Sequence, residues 1–191
     1  KMDLIDLLHA TDLKILKFIN SDLARLGNDY VMKIWTAEAP WFLLAGFFLL
    51  KTAYRRQWYD LKGLIWMAAT VGASDALAAH LIKPFAGRLR PCKVEALVRV
   101  VEGCAGSMSF PSNHASNAAA FAVFWWLWQG PRAGAIAVAC AVVVGFSRVY
   151  LGNHYPSDVL GGFVFGGSVA CVSFLLYRRF MSQAERGQTV V

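Results

Sequence analysis

The stretch SRVYLGNHYPSD, residues 147–158, separates two long apolar segments of the chain. It places Arg148, His154 and Asp158 close together around a single proline, Pro156. Because proline is favoured in the first turn of a helix, Pro156 predicts that a helix begins here. The stretch therefore predicts a polar connection between two apolar helices, with its charged side chains at one end of both.

The chain on either side of this connection is unusually apolar. Of its 191 residues, 57% are hydrophobic and only 16% are charged. A membrane-spanning helix needs about 20 predominantly apolar residues. Windows approaching that length lie at residues 37–54, 63–82, 115–128, 133–146 and 159–177. The predicted fold class is therefore all-α, an integral membrane helical bundle with about five transmembrane helices.

The N-terminal region differs from these windows because aspartates alternate with leucine and isoleucine at helical spacing. Such a pattern suits an amphipathic helix on the membrane surface, or equally a helix packed on the bundle. We expect one domain over residues 1–191. Within it, the amphipathic interfacial region covers 1–36, the transmembrane bundle 37–180 and a tail 181–191.

The formal net charge is +7, from 19 Lys and Arg against 12 Asp and Glu. Nucleic-acid binding is not favoured, because the basic residues match no nucleic-acid motif and do not interleave with aromatics on a soluble face. Phosphate at a membrane surface explains the charge better. Counts of Lys and Arg on the two sides are too even to give the orientation.

The predicted topology brings two distant segments to one face of the membrane. The long loop at 83–110 and the connection at 147–158 follow alternate spans, so both fall on the same side. Cys92 and Cys104 lie in the long loop, and a disulfide between them would require an oxidising compartment. The positively charged residues on this face are therefore expected to meet outside the reducing cytosol.

Two further polar segments border this face. KPFAGRLRP, residues 83–91, supplies Lys83 and Arg90, whose spacing lets a helix turn and a bend place them side by side. FPSNHAS, residues 110–116, opens the third predicted span. With Pro111 in the first helical position, the N–H groups of Ser112 and Asn113 would be free to bind an anion. His114 would follow in the same turn.

The connection at 147–158 completes the set. Asp158 can reach back to one ring nitrogen of His154, which fixes the tautomer and makes the other nitrogen a nucleophile or a base. The guanidinium of Arg148 matches two phosphate oxygens. Each segment alone is also explained by a helix cap, a structural ion pair or lipid-facing cations. Their convergence on one face favours phosphoryl transfer.

Taken together, the segments resemble the three-part signature of the type 2 phosphatidic acid phosphatase (PAP2) superfamily. Asn113 departs from this signature, because the second motif of that family usually has glycine at this position. The resemblance rests on Lys83-x6-Arg90-Pro91, Pro111-Ser112-Asn113-His114 and Ser147-Arg148-x5-His154-x3-Asp158.

The resemblance implies a role for each site residue. His154 would attack phosphorus and become a phosphohistidine, oriented by Asp158, while His114 would protonate the leaving oxygen and then activate water. No metal and no cofactor are implied, and the sequence has no carboxylate cluster suited to Mg²⁺. The residues implied to hold the phosphate are Lys83, Arg90, Ser112, Asn113 and Arg148.

The implied function is a metal-independent lipid phosphatase that removes a terminal phosphate from a membrane lipid phosphate or diphosphate. The small size resembles bacterial members, which implies a multi-pass protein of the bacterial inner membrane with its active site facing the periplasm. The expected substrate is undecaprenyl diphosphate, with lipid A, phosphatidylglycerol phosphate and phosphatidic acid as alternatives. A lipid phosphotransferase and a non-catalytic lipid-phosphate binding protein are rival functions. A vanadium haloperoxidase is disfavoured because those enzymes are soluble.

Two features within the predicted spans have structural explanations. Asp75 is an ionisable group deep in the second span, which makes it a functional candidate. The alternative is a structural hydrogen bond to His80 or to a polar group on a neighbouring span. Gly162 and Gly166 form a G-x-x-x-G pattern in the fifth span. Such small-residue faces allow close helix packing, which we expect inside the monomer.

Overall fold

The computed structural model describes residues 4–25, 29–96 and 98–188, and all regular secondary structure within these ranges is helical. This confirms the predicted all-α class. A π-helical turn (Phe18–Asp22) and a 3-10 turn (Leu23–Arg25) follow the first helix. The helices are α1 (Leu4–Lys17), α2 (Asp29–Thr36), α3 (Glu38–Tyr54), α4 (Trp58–Leu77), α5 (Lys83–Ala86), α6 (Pro91–Val94), α7 (Asn113–Gln129), α8 (Pro131–Tyr150) and α9 (Pro156–Gln188).

Four of the five apolar windows lie on α3, α7, α8 and α9, and the window at 63–82 covers α4 and the π-helical turn (Ala78–Ile82) that joins it to α5. In the described residues, three helical segments are long and apolar enough to cross a membrane: Asp60–Ala86, Pro131–Tyr150 and Pro156–Gln183. The pair α2 and α3, bent by 46°, adds a fourth if it forms one span. The remaining window lies on α7, whose 17 residues are at the short end of what a spanning helix needs.

Helix α7 occupies the centre of the bundle, packed against α4, α8 and α9. One core cluster joins Met67 of α4, Phe124 of α7 and Phe174 of α9. Much of the buried face of α7 is alanine and serine, so neighbouring backbones can approach closely.

The G-x-x-x-G pattern of α9 packs against α7 within the monomer, as predicted. A Cβ added at Gly166 would lie 1.9 Å from the carbonyl oxygen of Ser116, and one at Gly162 would lie 2.7 Å from that of Ser112. The backbones of α7 and α9 are therefore in contact at these glycines. This contact sets the position of the first turn of α7 relative to α9.

Replacing Gly166 by alanine is expected to destabilise the fold by about 1–3 kcal/mol, because the new methyl group would overlap the backbone of α7. Gly72→Ala in α4 is the matched control, since a Cβ there meets nothing within 4 Å. The control should be neutral or stabilising by up to about 1 kcal/mol, from helix propensity. Thermal unfolding in detergent, followed by circular dichroism, measures both, and equal midpoints would contradict the expected packing.

Helix α1 packs on the bundle. Leu16 is fully buried and Asp12 is only 6% exposed, whereas Leu7 and Leu8 are 49% and 61% exposed. Of the two arrangements left open by the sequence, packing on the bundle is therefore correct, and an apolar face remains for the membrane boundary.

At the other end of the chain, α9 continues into the predicted tail as far as Gln188. Residues 1–3, 26–28 and 189–191 of the predicted terminal regions lie outside the described residues.

The polar segments meet at one end of the bundle. The C-terminal ends of the α4–α5 segment and α8 lie there, together with the N-terminal ends of α7 and α9. Gly87, with φ of +61°, ends α5 in a left-handed turn that only glycine adopts readily, and so turns the chain back across this end. Cys92 and Cys104 form a disulfide within the long loop.

Candidate active site

His154 lies in the connection between α8 and α9, and only 1% of it is exposed. Its Nδ1 is 3.5 Å from Oδ2 of Asp158, so the predicted contact between these residues is present. Its Nε2 is 2.8 Å from a terminal guanidinium nitrogen of Arg90. Because a guanidinium only donates, Nε2 accepts and the ring proton resides on Nδ1. The lone pair of Nε2 therefore points towards Arg90, one of the three buried cations Lys83, Arg90 and Arg148 that we call the cationic centre.

Burial lowers the pKa of His154 to about 3, and the positive charge of Arg90 adds to this effect, while the contact with Asp158 opposes it. The imidazole is therefore neutral at pH 7. Since the unfolded chain takes up a proton near pH 6.5, the contribution of His154 to stability is complete above that pH. It falls as the pH is lowered from about 6.5 towards 3.

We expect the ring nitrogens of His154 to keep the signature of a neutral imidazole from pH 7 down to pH 5. Nitrogen-15 NMR of histidine-labelled protein measures this directly, and the spectrum of His154→Asn assigns the signal. The physical reason is the burial that lowers its pKa to about 3. A protonation midpoint between pH 6 and 7 in the folded protein would contradict the expectation.

Asp158 is fully buried in the first turn of α9, where both of its oxygens are used. Oδ1 accepts a hydrogen bond from Arg88 at 2.7 Å. Oδ2 accepts from Ser109 Oγ at 2.5 Å and from the backbone N–H of Tyr155 at 2.9 Å. The carboxylate plane is thereby fixed with Oδ2 towards His154.

Sequence reasoning did not single out Arg88 or Ser109. Arg88 lies two residues before Arg90 in the same basic segment, so its charge was a usable signal. Ser109 precedes the FPSNHAS segment, and nothing in its spacing points to Asp158. Both were missed because their roles depend on loop geometry.

Two of the predicted phosphate-binding cations come from the long basic segment and are buried, Lys83 at 4% exposure and Arg90 at 5%. Lys83 Nζ donates to the carbonyl of Met108 at 2.7 Å. Arg90 donates from Nε to the carbonyl of Ser107 at 2.9 Å and from a terminal nitrogen to the hydroxyl of Ser107 at 3.0 Å. Burial lowers the pKa of Arg90, but a guanidinium remains charged. The loop thus holds both charges at the centre.

Arg148, at the end of α8, is the third predicted cation and is 7% exposed. It donates to the hydroxyl of Thr36 and lies 3.5 Å from a carboxylate oxygen of Glu102. Its Nε is buried and has no hydrogen-bond partner among the described residues. A cavity of about 340 Å³ borders Arg148, Glu102 and Asn153. An unpaired buried donor beside a cavity is suited to an anion.

His114 is the second residue of α7, and its Nε2 lies 3.8 Å from a carboxylate oxygen of Glu38. The electrostatic environment of His114 includes Arg90 and Arg148, and that of His154 includes the same two arginines. The fold therefore brings both predicted catalytic histidines to one cationic centre. The two histidines are 40 positions apart in the sequence.

The start of α7 differs from the expectation. The helix begins at Asn113 with Ser112 as its N-cap, not at Pro111. The N–H of Ser112 donates to the carbonyl of Asp158 at 3.0 Å, so it is not the free anion donor that the sequence suggested. The same bond ties the start of α7 to the first turn of α9. A phosphate role for Ser112 and for the Asn113 backbone remains a prediction.

Asp75 forms hydrogen bonds to polar groups on a neighbouring helix, which is one of the two arrangements expected from the sequence. Its Oδ1 accepts from the side-chain amide of Asn113 at 2.8 Å and from that of Asn117 at 2.9 Å. The partners are therefore the asparagines of α7, and not His80. The side chain of Asn113 joins α4 to α7, which gives a structural reason for an asparagine at this position.

The chain is similar in sequence to a known family of proteins. The model of the PAP2 superfamily matches residues 61–182. A Lipid A 1-phosphatase of Rhizobium etli is 36% identical over 71% of this chain and 60% of its own length. A Lipid A 4'-phosphatase of Bacteroides thetaiotaomicron is 30% identical over 86% of this chain and 76% of its own length. The chain thus matches about three fifths of the length of the Rhizobium etli protein.

Among solved structures, the transmembrane PAP2 type phosphatidylglycerolphosphate phosphatase of Bacillus subtilis resembles this fold with a TM-score of 0.69. The two chains are 25% identical, and the match covers 91% of this chain and 88% of that one. The segment matched by the family model contains every predicted site residue. The chain therefore belongs to the PAP2 superfamily.

Proposed function

We propose that this protein is a metal-independent lipid phosphatase that removes a terminal phosphate from a membrane lipid through a phosphohistidine on His154. The observation that carries the proposal is the orientation of that imidazole. Its Nδ1 faces Asp158 and its Nε2 faces Arg90 within a buried cationic centre. A neutral, oriented histidine beside an anion site is what nucleophilic phosphoryl transfer requires.

In the first step, Nε2 of His154 attacks phosphorus and the bond from phosphorus to the lipid oxygen breaks. His114, which the negative charge of the bound phosphate keeps protonated against the charges of Arg90 and Arg148, gives its proton to that oxygen. The lipid therefore leaves as an alcohol, or as a lipid monophosphate from a diphosphate. Arg90 moves from Nε2 to a phosphate oxygen when the substrate binds. With Lys83 and Arg148 it offsets the charge on the equatorial oxygens, as metal ions do in other phosphoryl transfer sites.

In the second step, water attacks the phosphohistidine from the side vacated by the lipid. His114, now neutral, takes a proton from that water, and the bond between phosphorus and Nε2 breaks. Inorganic phosphate leaves and His154 regains its lone pair. Asp158 holds the Nδ1 proton in both steps and stabilises the positive charge that the ring carries while phosphorylated.

The comparisons favour one lipid class over the expectation from sequence. Both curated relatives described above are named as lipid A phosphatases, and each match covers at least 71% of this chain. We therefore place a phosphorylated lipid A first among the proposed substrates and undecaprenyl diphosphate second. The site residues bind the phosphoryl group, which all of these lipids share, so substrate selection must reside in groups that contact the remainder of the lipid.

The proposed location is the bacterial inner membrane, with the site facing the periplasm. The disulfide between Cys92 and Cys104 supports this orientation, because it lies in the loop that carries Arg90 and forms in oxidising compartments. Mass spectrometry of protein purified without reductant, after alkylation of free thiols, tests it. Alkylation at Cys92 and Cys104 would contradict a periplasmic site.

The function is tested by phosphate release from purified protein in detergent with a chelator present. The panel contains lipid A, undecaprenyl diphosphate, phosphatidylglycerol phosphate and phosphatidic acid, with water as the only acceptor. Release from at least one lipid supports the proposal. No release from any of them, or release that depends on adding a second lipid as acceptor, would contradict it and favour a binding protein or a phosphotransferase.

A further inference from the structure

Helix α1 reaches the catalytic helix through one buried carboxylate, Asp12. Its Oδ1 accepts from the backbone N–H of Ser157 at 2.8 Å. Its Oδ2 accepts from the hydroxyl of Ser157 and from Arg88 at 2.6 Å. Ser157 directly precedes Asp158 in the first turn of α9. The N-terminal helix is therefore attached beside the residue that orients His154.

Arg88 links the carboxylates of Asp12 and Asp158. One terminal nitrogen donates to Asp12 at 2.6 Å and the other to Asp158 at 2.7 Å, and the guanidinium lies 4.1 Å from the ring centre of Tyr155. The fork geometry of arginine suits such bridging, and stacking on the ring fixes its plane. Burial lowers the pKa of Arg88, but the two carboxylates outweigh it, and the net direction is upward.

Because of this bridge, the two carboxylate oxygens of Asp158 face different partners. Arg88 occupies Oδ1, and this leaves Oδ2 to face Nδ1 of His154. Asp12 also shares the positive charge of Arg88. Without the charge on Asp12, the guanidinium would act on Asp158 alone and weaken its hold on the Nδ1 proton. The basicity of Nε2 would then fall.

We propose that Asp12 and Arg88 are positioning residues for catalysis, so that α1 contributes to the active site through Asp158. The inference rests on the proposed function, because it concerns the rate of attack by His154. Neither residue contacts Lys83 or Arg148 in the interactions described above. Their loss is therefore expected to reduce kcat and to leave KM nearly unchanged.

The first test compares Asp12→Asn and Arg88→Gln with the wild type in phosphate release. We expect kcat to fall by about 10-fold in Asp12→Asn and by up to about 100-fold in Arg88→Gln, as for other groups that orient a catalytic histidine. KM should change by less than about twofold. If Asp12 acts through Arg88, the double variant loses no more than Arg88→Gln alone. Additive losses, or a change in KM with constant kcat, would overturn the proposal.

The second test does not need activity. In proton–nitrogen-15 NMR, the Nδ1–H proton of His154 in the wild type is expected to resonate far downfield because it faces Asp158, and Asp12→Asn should move it upfield. Should the wild type release no phosphate, the proposed function fails, and this measurement still decides whether Asp12 and Arg88 orient His154. An unchanged Nδ1–H resonance in a folded Asp12→Asn would overturn the inference.

Asp29→Asn is the matched control. Asp29 pairs with Arg99 at 2.7 and 2.9 Å, so the variant also breaks an ion pair between an N-terminal helix and the long loop. It should keep the kcat of the wild type, and a comparable loss there would count against a specific role for Asp12. If Asp12→Asn does not fold, Arg88→Lys provides the same comparison, because lysine keeps the charge but lacks the planar fork.

Discussion

Asparagine in place of His154 is expected to lower kcat/KM for every lipid phosphate by at least about 10⁴-fold, because no other group can take over as nucleophile. The side chain is almost fully buried, and asparagine is smaller and still polar, so Arg90 and Asp158 keep a hydrogen-bonding partner. Radiolabelled substrate, quenched within a turnover, should label the wild type in an acid-labile, base-stable linkage. His154→Asn should remain unlabelled.

The matched control is His80→Asn, which changes an exposed histidine at the same end of the bundle. It should retain the activity and labelling of the wild type. A folded His154→Asn that still formed the phosphoenzyme would place the nucleophile elsewhere. A variant that released phosphate without labelling would point instead to direct attack by water.

The loss in His114→Asn should depend on the leaving group. Removal of a general acid lowers kcat by about 10²–10⁴-fold when the departing oxygen is a poor leaving group. For an aryl phosphate such as p-nitrophenyl phosphate, whose leaving oxygen needs no proton, the first step should be nearly unaffected. Because the residue also activates water, the second step should slow for both substrates.

Two measurements separate these steps in His114→Asn. Steady-state turnover of an alkyl phosphate and of p-nitrophenyl phosphate compares the leaving groups. Rapid quenching with p-nitrophenyl phosphate should show a burst of nitrophenol equal to the enzyme concentration, followed by slow turnover as the phosphohistidine accumulates. Equal losses on both substrates without a burst would show that His114 acts only in binding.

Local sequence was enough to predict the class of fold and the contact between His154 and Asp158. Apolar windows of spanning length require helices, since a lipid environment leaves no other way to satisfy the backbone. The i, i+4 spacing of His154 and Asp158 placed their side chains in contact, because Pro156 starts a helix between them. These features depend on residues within one or two turns of each other.

The first residue of α7 could not be predicted from local sequence. Proline at position 111 fits the first turn of a helix, but the N–H of Ser112 is used by the carbonyl of Asp158, on a helix far away in sequence. That partner exists only because Gly162 and Gly166 allow α9 to approach the backbone of α7. The tertiary contact with Asp158 therefore determined the start of α7, and the local preference of proline did not.

The sequence by itself determined a helical membrane protein whose histidines, arginines and lysine suit phosphoryl chemistry. Only the tertiary structure decided which groups surround Asp158, and that α1 packs on the bundle through Asp12. The reason is physical: Arg88 lies 76 positions from Asp12 and 70 from Asp158. A contact over such distances follows from the packing of whole helices and not from any periodicity in the chain.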